Sequence, residues 1–187
     1  MSGFLKRTNM STITIKDKQF SLSISSEKIQ EAVKTVAENI NRDLADTNPL
    51  FICVLNGAFM FVGDLMKHVN IPCEITFIKL SSYAGLYTTG EVKEVMGLSE
   101  SVIDRNVIVV EDIVDTGITM EKIIESLKAK GAKDIKVVTF LQKPDALQRN
   151  ITVDYVAMKI PNDFIVGYGL DYDGYGRNLK DIYTVCG

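Results

Sequence analysis

The chain has one histidine, His68, and three cysteines, Cys53, Cys73 and Cys186. A single histidine excludes multi-histidine metal centres and leaves no second imidazole for a catalytic triad elsewhere. His68 itself closes a helix-like pattern, where an imidazole complements the helix dipole. Three scattered cysteines fit neither a disulfide framework nor a zinc spacing. Cys53 and Cys73 stand in apolar runs and read as core thiols, so the expected compartment is a reducing cytoplasm. No apolar run approaches the roughly 20 residues that span a bilayer. The opening MSGFLKRTNM lacks the apolar core and cleavage site of a secretory signal. Neither sign of charge dominates: 21 Lys and Arg against 24 Asp and Glu give a net charge of −3. That balance exerts no global pull towards nucleic acid or anionic membrane. Gly-x-x-x-x-Gly-Lys-Ser/Thr is missing, which argues against P-loop nucleotide hydrolysis. There is no internal repeat, low-complexity run or linker, so the expectation is one domain over residues 1–187, long enough to bury a sizeable core.

What is present centres on residues 107–119, VIVVEDIVDTGIT. Val107, Ile108, Val109 and Val110 are β-branched and contiguous, the pattern of a buried parallel strand. Glu111 and Asp112 stand where that strand is expected to end. Residues 115–119, Asp-Thr-Gly-Ile-Thr, form a turn of mostly small polar residues. A helix pattern follows at once, with Met120, Ile123, Ile124 and Leu127 at helical spacing. A helix N-terminus presents unpaired N–H groups and partial positive charge, so this turn suits a phosphate. Gly117 allows close approach, and Thr116 and Thr119 add hydroxyl donors. The two acids suit sugar hydroxyls or Mg²⁺ rather than phosphate. One turn can thus hold a ribose and its 5-phosphate.

Along the chain, Ile13 and Ile15, then Phe20, Leu22 and Ile24, alternate around Asp17 and Lys18 and predict an edge hairpin. Ser25 or Ser26 can cap a helix over 27–44 whose apolar face is Ile29, Val33, Val36, Ala37 and Ile40. Strands are predicted over 50–55, 74–80, 133–140, 153–159 and 182–185, with a helix over 59–69. Residues 81–104 read as a long loop bearing Gly85, Gly90 and Gly97 with Thr88 and Thr89; such a loop inside a compact domain is usually functional or mobile. Alternation of helix and strand from residue 27 onwards predicts a central parallel sheet flanked by helices on both faces. Ligands of such sheets sit at the carboxyl ends of the strands.

The order of four hydrophobic residues, Glu-Asp, two apolar residues, Asp-Thr-Gly and a Thr resembles the phosphoribosyl pyrophosphate loop of the type I phosphoribosyltransferase family. Further segments extend the resemblance from about Ile29 to Val185. Residues 55–58, Leu-Asn-Gly-Ala, resemble the family's pyrophosphate loop, which often holds a non-proline cis peptide before its second residue. Taken alone, Asn-Gly is simply a turn. Most relatives carry Lys or Arg where this chain has Asn56, so charge is missing there and backbone N–H groups, with Gly57, are left to bind diphosphate. Ser82 and Tyr83 resemble the Ser-Tyr pair of a catalytic lid. Residues 160–171, IPNDFIVGYGLD, resemble the purine-binding hood of the hypoxanthine–guanine branch, bacterial type.

The resemblance implies a fold with a small hood subdomain, built from the N-terminal hairpin and about 160–187. It implies transfer of the phosphoribosyl group to N9 of a 6-oxopurine. Lys143 is then a donor to O6, Phe164 stacks on the purine, and Ile165 offers backbone groups to the base edge. Arg177 reaches the pyrophosphate. Asp171 binds Mg²⁺, with Glu111 and Asp112 holding ribose hydroxyls and metal. Asp115 is the candidate general base near N7, and residues 115–119, including Ile118, fix the 5-phosphate. Asp163 stands where some relatives carry Lys and receives no role. The family also implies a homodimer or homotetramer. Two alternatives stay open: a sister transferase for xanthine, adenine or a pyrimidine, and an RNA-binding regulator of this fold, which requires a basic face. Two other motif hints fail. Asp171-x-Asp173-Gly174 lacks the remaining ligands of a calcium loop, and Gly174-Tyr175-Gly176 neither follows a clear strand nor opens a helix.

Overall fold

A computed structural model describes residues 6–9, 12–82 and 92–187, with side chains over 12–79 and 97–187. Six strands form the main sheet: β4 (Leu50–Leu55), β5 (Glu74–Ser82), β6 (Val92–Met96), β7 (Asn106–Val114), β8 (Asp134–Gln142) and β9 (Tyr155–Lys159). Their order is β6-β5-β4-β7-β8-β9, with every pair parallel except β5–β6. The five-stranded parallel part agrees with the expected fold class. In its middle, residues 50–55 of β4 and 107–110 of β7 are all Val, Ile, Leu, Phe and Cys because both faces are covered.

Helix α1 (Ser26–Asp43) and helix α2 (Phe59–His68) pack on one face, and helix α3 (Ile118–Ala129) on the other. The predicted apolar stripe of α1 is the buried one: Ile29, Val33, Val36, Ala37 and Ile40. These meet Phe51, Cys53, Ile108 and Val110 of the sheet. Met120, Ile123 and Leu127 of α3 meet Leu50, Ile52, Val107 and Val109. Cys53 is a core thiol, pushed up to about 12 by burial. Cys73 is only half-buried, because it lies in the connection before β5 rather than in a strand.

A second, smaller sheet has the order β1-β2-β3-β11-β10. It contains β1 (Lys6–Asn9), the expected hairpin β2 (Thr12–Ile15) and β3 (Lys18–Ile24), and the late strands β10 (Ile165–Val166) and β11 (Ile182–Val185). Ile13, Ile15, Phe20, Val166 and Tyr183 form its core. It joins the first helix directly: the Ser26 N–H donates to Asp181 Oδ1 at 2.7 Å. Thus the N-cap acceptor comes from the far end of the chain, and neither Ser25 nor Ser26 supplies it.

Two further expectations change. The central strand does not stop before the acids but continues to Val114, because pairing with β8 persists to Val114↔Gln142. The long loop is not wholly irregular either. Its returning limb is β6, antiparallel to β5. Ser82 ends β5, while Tyr83 and residues 84–91, including Gly85, Thr88, Thr89 and Gly90, lie outside the described residues.

Candidate active site

Strands β4, β7 and β8 are neighbours in the sheet, so their carboxyl ends lie side by side. Each carries one part of the expected site. After β4 comes the 55–58 loop, with a cis Leu55–Asn56 peptide. After β7 comes the 115–117 turn, and after β8 comes Lys143.

The turn enters α3 through Gly117, whose φ is +81°. A side chain there is strained by the left-handed backbone. It is also crowded, since a Cβ would lie 3.0 Å from Leu147 Cδ1 and 3.1 Å from Ile151 Cδ1. The segment after Lys143 therefore supports the turn from outside, and the Gln148 N–H donates to the Thr116 carbonyl at 2.9 Å. The turn encloses a cavity of about 90 Å³, lined by Glu111, Asp115, Thr116, Gly117 and Thr119 among others. Ile118 begins the helix, and its N–H approaches Thr116 Oγ1 at 3.4 Å. Gly117→Ala is expected to cost about 1–2 kcal/mol from backbone strain alone, read as a lower urea midpoint in equilibrium unfolding.

Glu111 and Asp112 face different neighbours. Glu111 lines the turn's cavity. Burial, then the adjacent Asp112 charge, pushes its carboxyl well above the usual carboxylate range. A carboxyl lining this cavity suits sugar hydroxyls. Asp112 instead accepts from its own chain, Ile113 N–H to Oδ1 at 2.8 Å, and lies against Gly57. A Cβ at Gly57 would collide with the Asp112 carboxylate, so any side chain there must displace that acid. Asn56 is exposed beside it.

Lys143 is 8% exposed. Its Nζ lies 3.6 Å from Asp115 Oδ2, while the Asp115 side chain remains 46% exposed. A buried ammonium needs a partner; here the partner is the carboxylate that opens the glycine turn before α3. The Lys143 N–H also donates to the Val114 carbonyl at 3.0 Å, fixing the two strand ends together.

On the other side of the 55–58 loop, Gly169 packs against the Gly57 carbonyl so closely that a Cβ would collide with it. Arg177 Nη1 donates to the Gly169 carbonyl at 2.7 Å, and Nη2 pairs with Asp171 Oδ1 at 2.6 Å. Asp171 Oδ2 accepts the Gly174 N–H at 2.7 Å. Arg177 and Asp171 thus stand together near Gly57. Phe164 is 46% exposed and belongs to an aromatic group with Phe20 and Tyr172, with Lys18 Nζ 5.8 Å from its ring centroid. Ile165, next to it, is buried at the start of β10.

Sequence reasoning missed Gly169 and the 147–151 support of Gly117. The signal for the first was available: Gly167-Tyr168-Gly169 flanks one aromatic with two glycines, both at positive φ (104° and 100°). Nothing local marks residues 147–151, because their contact with the turn arises from the β7–β8 pairing.

A parallel sheet carrying an acidic pair, a glycine turn that opens a helix and a loop with a cis peptide on adjacent strand ends defines a class. The chain belongs to the phosphoribosyltransferase family, whose model, described as a phosphoribosyl transferase domain, matches residues 25–173. Within that family it is similar to a hypoxanthine-guanine phosphoribosyltransferase of Bacillus subtilis, 41% identical over 160 residues, covering 85% of this chain and 89% of that protein. One from Mycobacterium bovis is 36% identical over 172 residues, covering 88% and 85%. The crystal structure of a hypoxanthine-guanine phosphoribosyltransferase from Bacillus anthracis superposes with a TM-score of 0.84 at 39% identity, covering 89% of this chain and 98% of that one.

Proposed function

We propose that the protein transfers the 5-phosphoribosyl group of phosphoribosyl pyrophosphate to N9 of hypoxanthine and guanine, a purine-salvage reaction giving IMP or GMP and pyrophosphate. The observation that carries this reading is the Lys143–Asp115 pair beside the phosphate turn. N7 and the 6-substituent share one edge of a purine. A 6-oxopurine presents an acceptor oxygen there, adenine an amino donor. An ammonium next to a carboxylate matches the first: Lys143 donates to O6, and Asp115 takes the proton from N7 as N9 attacks.

In this reading the 115–119 turn holds the 5-phosphate and Glu111 holds ribose hydroxyls. Asn56 and Gly57 offer backbone N–H groups to the diphosphate, and Arg177 turns its planar fork from Asp171 to the leaving group. The C1–O bond to pyrophosphate breaks as the N9–C1 bond forms, through an oxocarbenium-like transition state. Positioning and charge stabilisation supply most of the catalysis. Phe164 stacks on the base, Ile165 offers backbone groups to its edge, and Ser82 and Tyr83 belong to a lid that excludes water.

Mg²⁺ is the cofactor of this reading. Among the described residues no three His, Cys, Asp or Glu side chains converge on one point. Asp171 would hold the ion on its own side of the site, and Glu111 and Asp112 would reach it on the ribose side, each supplying one or two carboxylates completed with substrate oxygens and water, the usual way this ion is held. When bound, Mg²⁺ neutralises charge on the departing diphosphate.

The second sheet and residues 160–187 act as a hood over the base, within one phosphoribosyltransferase domain. The protein works in the cytoplasm as a homodimer or homotetramer, without nucleic acid or membrane partners; among the described residues no helix is long and apolar enough to cross a membrane. Incubation with phosphoribosyl pyrophosphate, Mg²⁺ and hypoxanthine tests the reaction. Equimolar IMP and pyrophosphate are expected, and pyrophosphate without nucleotide contradicts the transfer.

A further inference from the structure

We propose that Asp64 and Tyr168 are positioning residues for the pyrophosphate end of the site, holding residues 167–177 against the 55–58 loop so that Gly57, Asp171 and Arg177 stay in register. The inference rests on the reading above, since it takes those three residues as the diphosphate side of the site.

Tyr168 is 1% exposed, yet it occupies a left-handed backbone conformation, φ +46°, between two glycines that are also at positive φ. A bulky residue rarely adopts that conformation without surrounding constraint. Its ring packs on Phe140 with centroids 4.8 Å apart. Its hydroxyl donates to Asp64 Oδ2 at 2.8 Å. Asp64 sits on α2, the helix that begins directly after the 55–58 loop. Gln30 Nε2 of α1 donates to the same oxygen at 2.6 Å, and Lys67 Nζ pairs with Oδ1 at 2.8 Å. The carboxylate is therefore fixed by two helices before it receives the tyrosine.

The connection closes into a ring. From the 55–58 loop the chain runs along α2 to Asp64. The hydrogen bond crosses to Tyr168, the next residue is Gly169, and Gly169 packs back on the Gly57 carbonyl. Gly169 also exchanges two hydrogen bonds with Arg177, N–H to the Arg177 carbonyl at 2.9 Å and carbonyl from Nη1 at 2.7 Å. Among the described residues no hydrogen bond or ion pair joins this ring to Lys143 or Asp115. A tyrosine serving only the core needs its ring, whereas this ring of contacts needs its hydroxyl.

Tyr168→Phe separates the two roles. It keeps the ring and leaves Asp64 with Gln30 and Lys67, so no charge is stranded. Asp64→Asn keeps an acceptor for the hydroxyl, and Asp64→Ala removes it. The probe is phosphoribosyl pyrophosphate with Mg²⁺, titrated calorimetrically without any base, beside steady-state turnover with hypoxanthine. Tyr168→Phe is expected to weaken phosphoribosyl pyrophosphate binding roughly five- to thirtyfold, the range of one hydrogen bond to a charged group after partial relaxation. The KM for hypoxanthine should stay within twofold. Asp64→Ala should match Tyr168→Phe, and Asp64→Asn should recover to within about threefold of wild type, all three with native circular dichroism. An unchanged Kd in Tyr168→Phe overturns the positioning role, as does an equal loss for both substrates. If the wild type binds phosphoribosyl pyrophosphate but turns over no oxopurine, the base assignment fails while the Kd ratio still decides the role of Asp64 and Tyr168. If the wild type binds none, both fall.

Discussion

Asp115→Asn is expected to lower kcat by about 10²–10⁴-fold, the usual contribution of a general acid–base group, with little change in the affinity for phosphoribosyl pyrophosphate. In the proposed reading the carboxylate opens the turn that holds the 5-phosphate, a poor place for negative charge unless it serves something else. It stays 46% exposed while the ammonium beside it is covered, so it is open to a ligand. The amide keeps the size and an oxygen for Lys143 but cannot take a proton. Phosphate binding through the backbone of 116–119 should therefore survive. Single-turnover kinetics and a phosphoribosyl pyrophosphate titration separate the two quantities. A loss of kcat below threefold removes Asp115 from proton transfer.

Lys143→Ala is expected to reduce kcat/KM for hypoxanthine and guanine together, because both carry O6. A hydrogen bond from a charged donor is worth about 1.5–3 kcal/mol, or roughly ten- to a hundredfold. Affinity for phosphoribosyl pyrophosphate should hardly move. Adenine, expected to be poor in the wild type, should lose nothing, since its 6-amino group finds no acceptor in an ammonium. Phe164→Leu should behave differently. It retains apolar cover but loses the flat π-face, so every purine should weaken by a similar, smaller factor. Measuring three bases against both variants gives six ratios with distinct expected patterns. Equal losses for all bases in Lys143→Ala would mean that the lysine supports the pocket without reading O6.

The parts of this protein visible in its sequence are those set by local patterns. The 3.6-residue stripe of α1 matches its buried face residue for residue, and the β-branched runs of β4 and β7 mark buried parallel strands because helices cover both faces. The order Glu-Asp, then Asp-Thr-Gly, marked the turn itself. What the sequence hid depends on pairing between distant segments. The central strand runs past its acids because β8 continues to pair with it. The cap of α1 is Asp181, 155 residues from Ser26. Lys143 and Asp115 meet because β7 and β8 are adjacent in the sheet, an order that no local pattern specifies. Tyr168 reads as one more core aromatic until its hydroxyl is seen on Asp64.

The central claim, a phosphoribosyl transfer to 6-oxopurines read by Lys143 beside Asp115, is tested most directly by kcat/KM for hypoxanthine, guanine and adenine with saturating phosphoribosyl pyrophosphate and Mg²⁺. The account predicts efficient turnover of one or both oxopurines and adenine lower by at least tenfold, the low end of what one mismatched charged hydrogen bond costs. Preference for adenine, or equal use of all three bases, would contradict it.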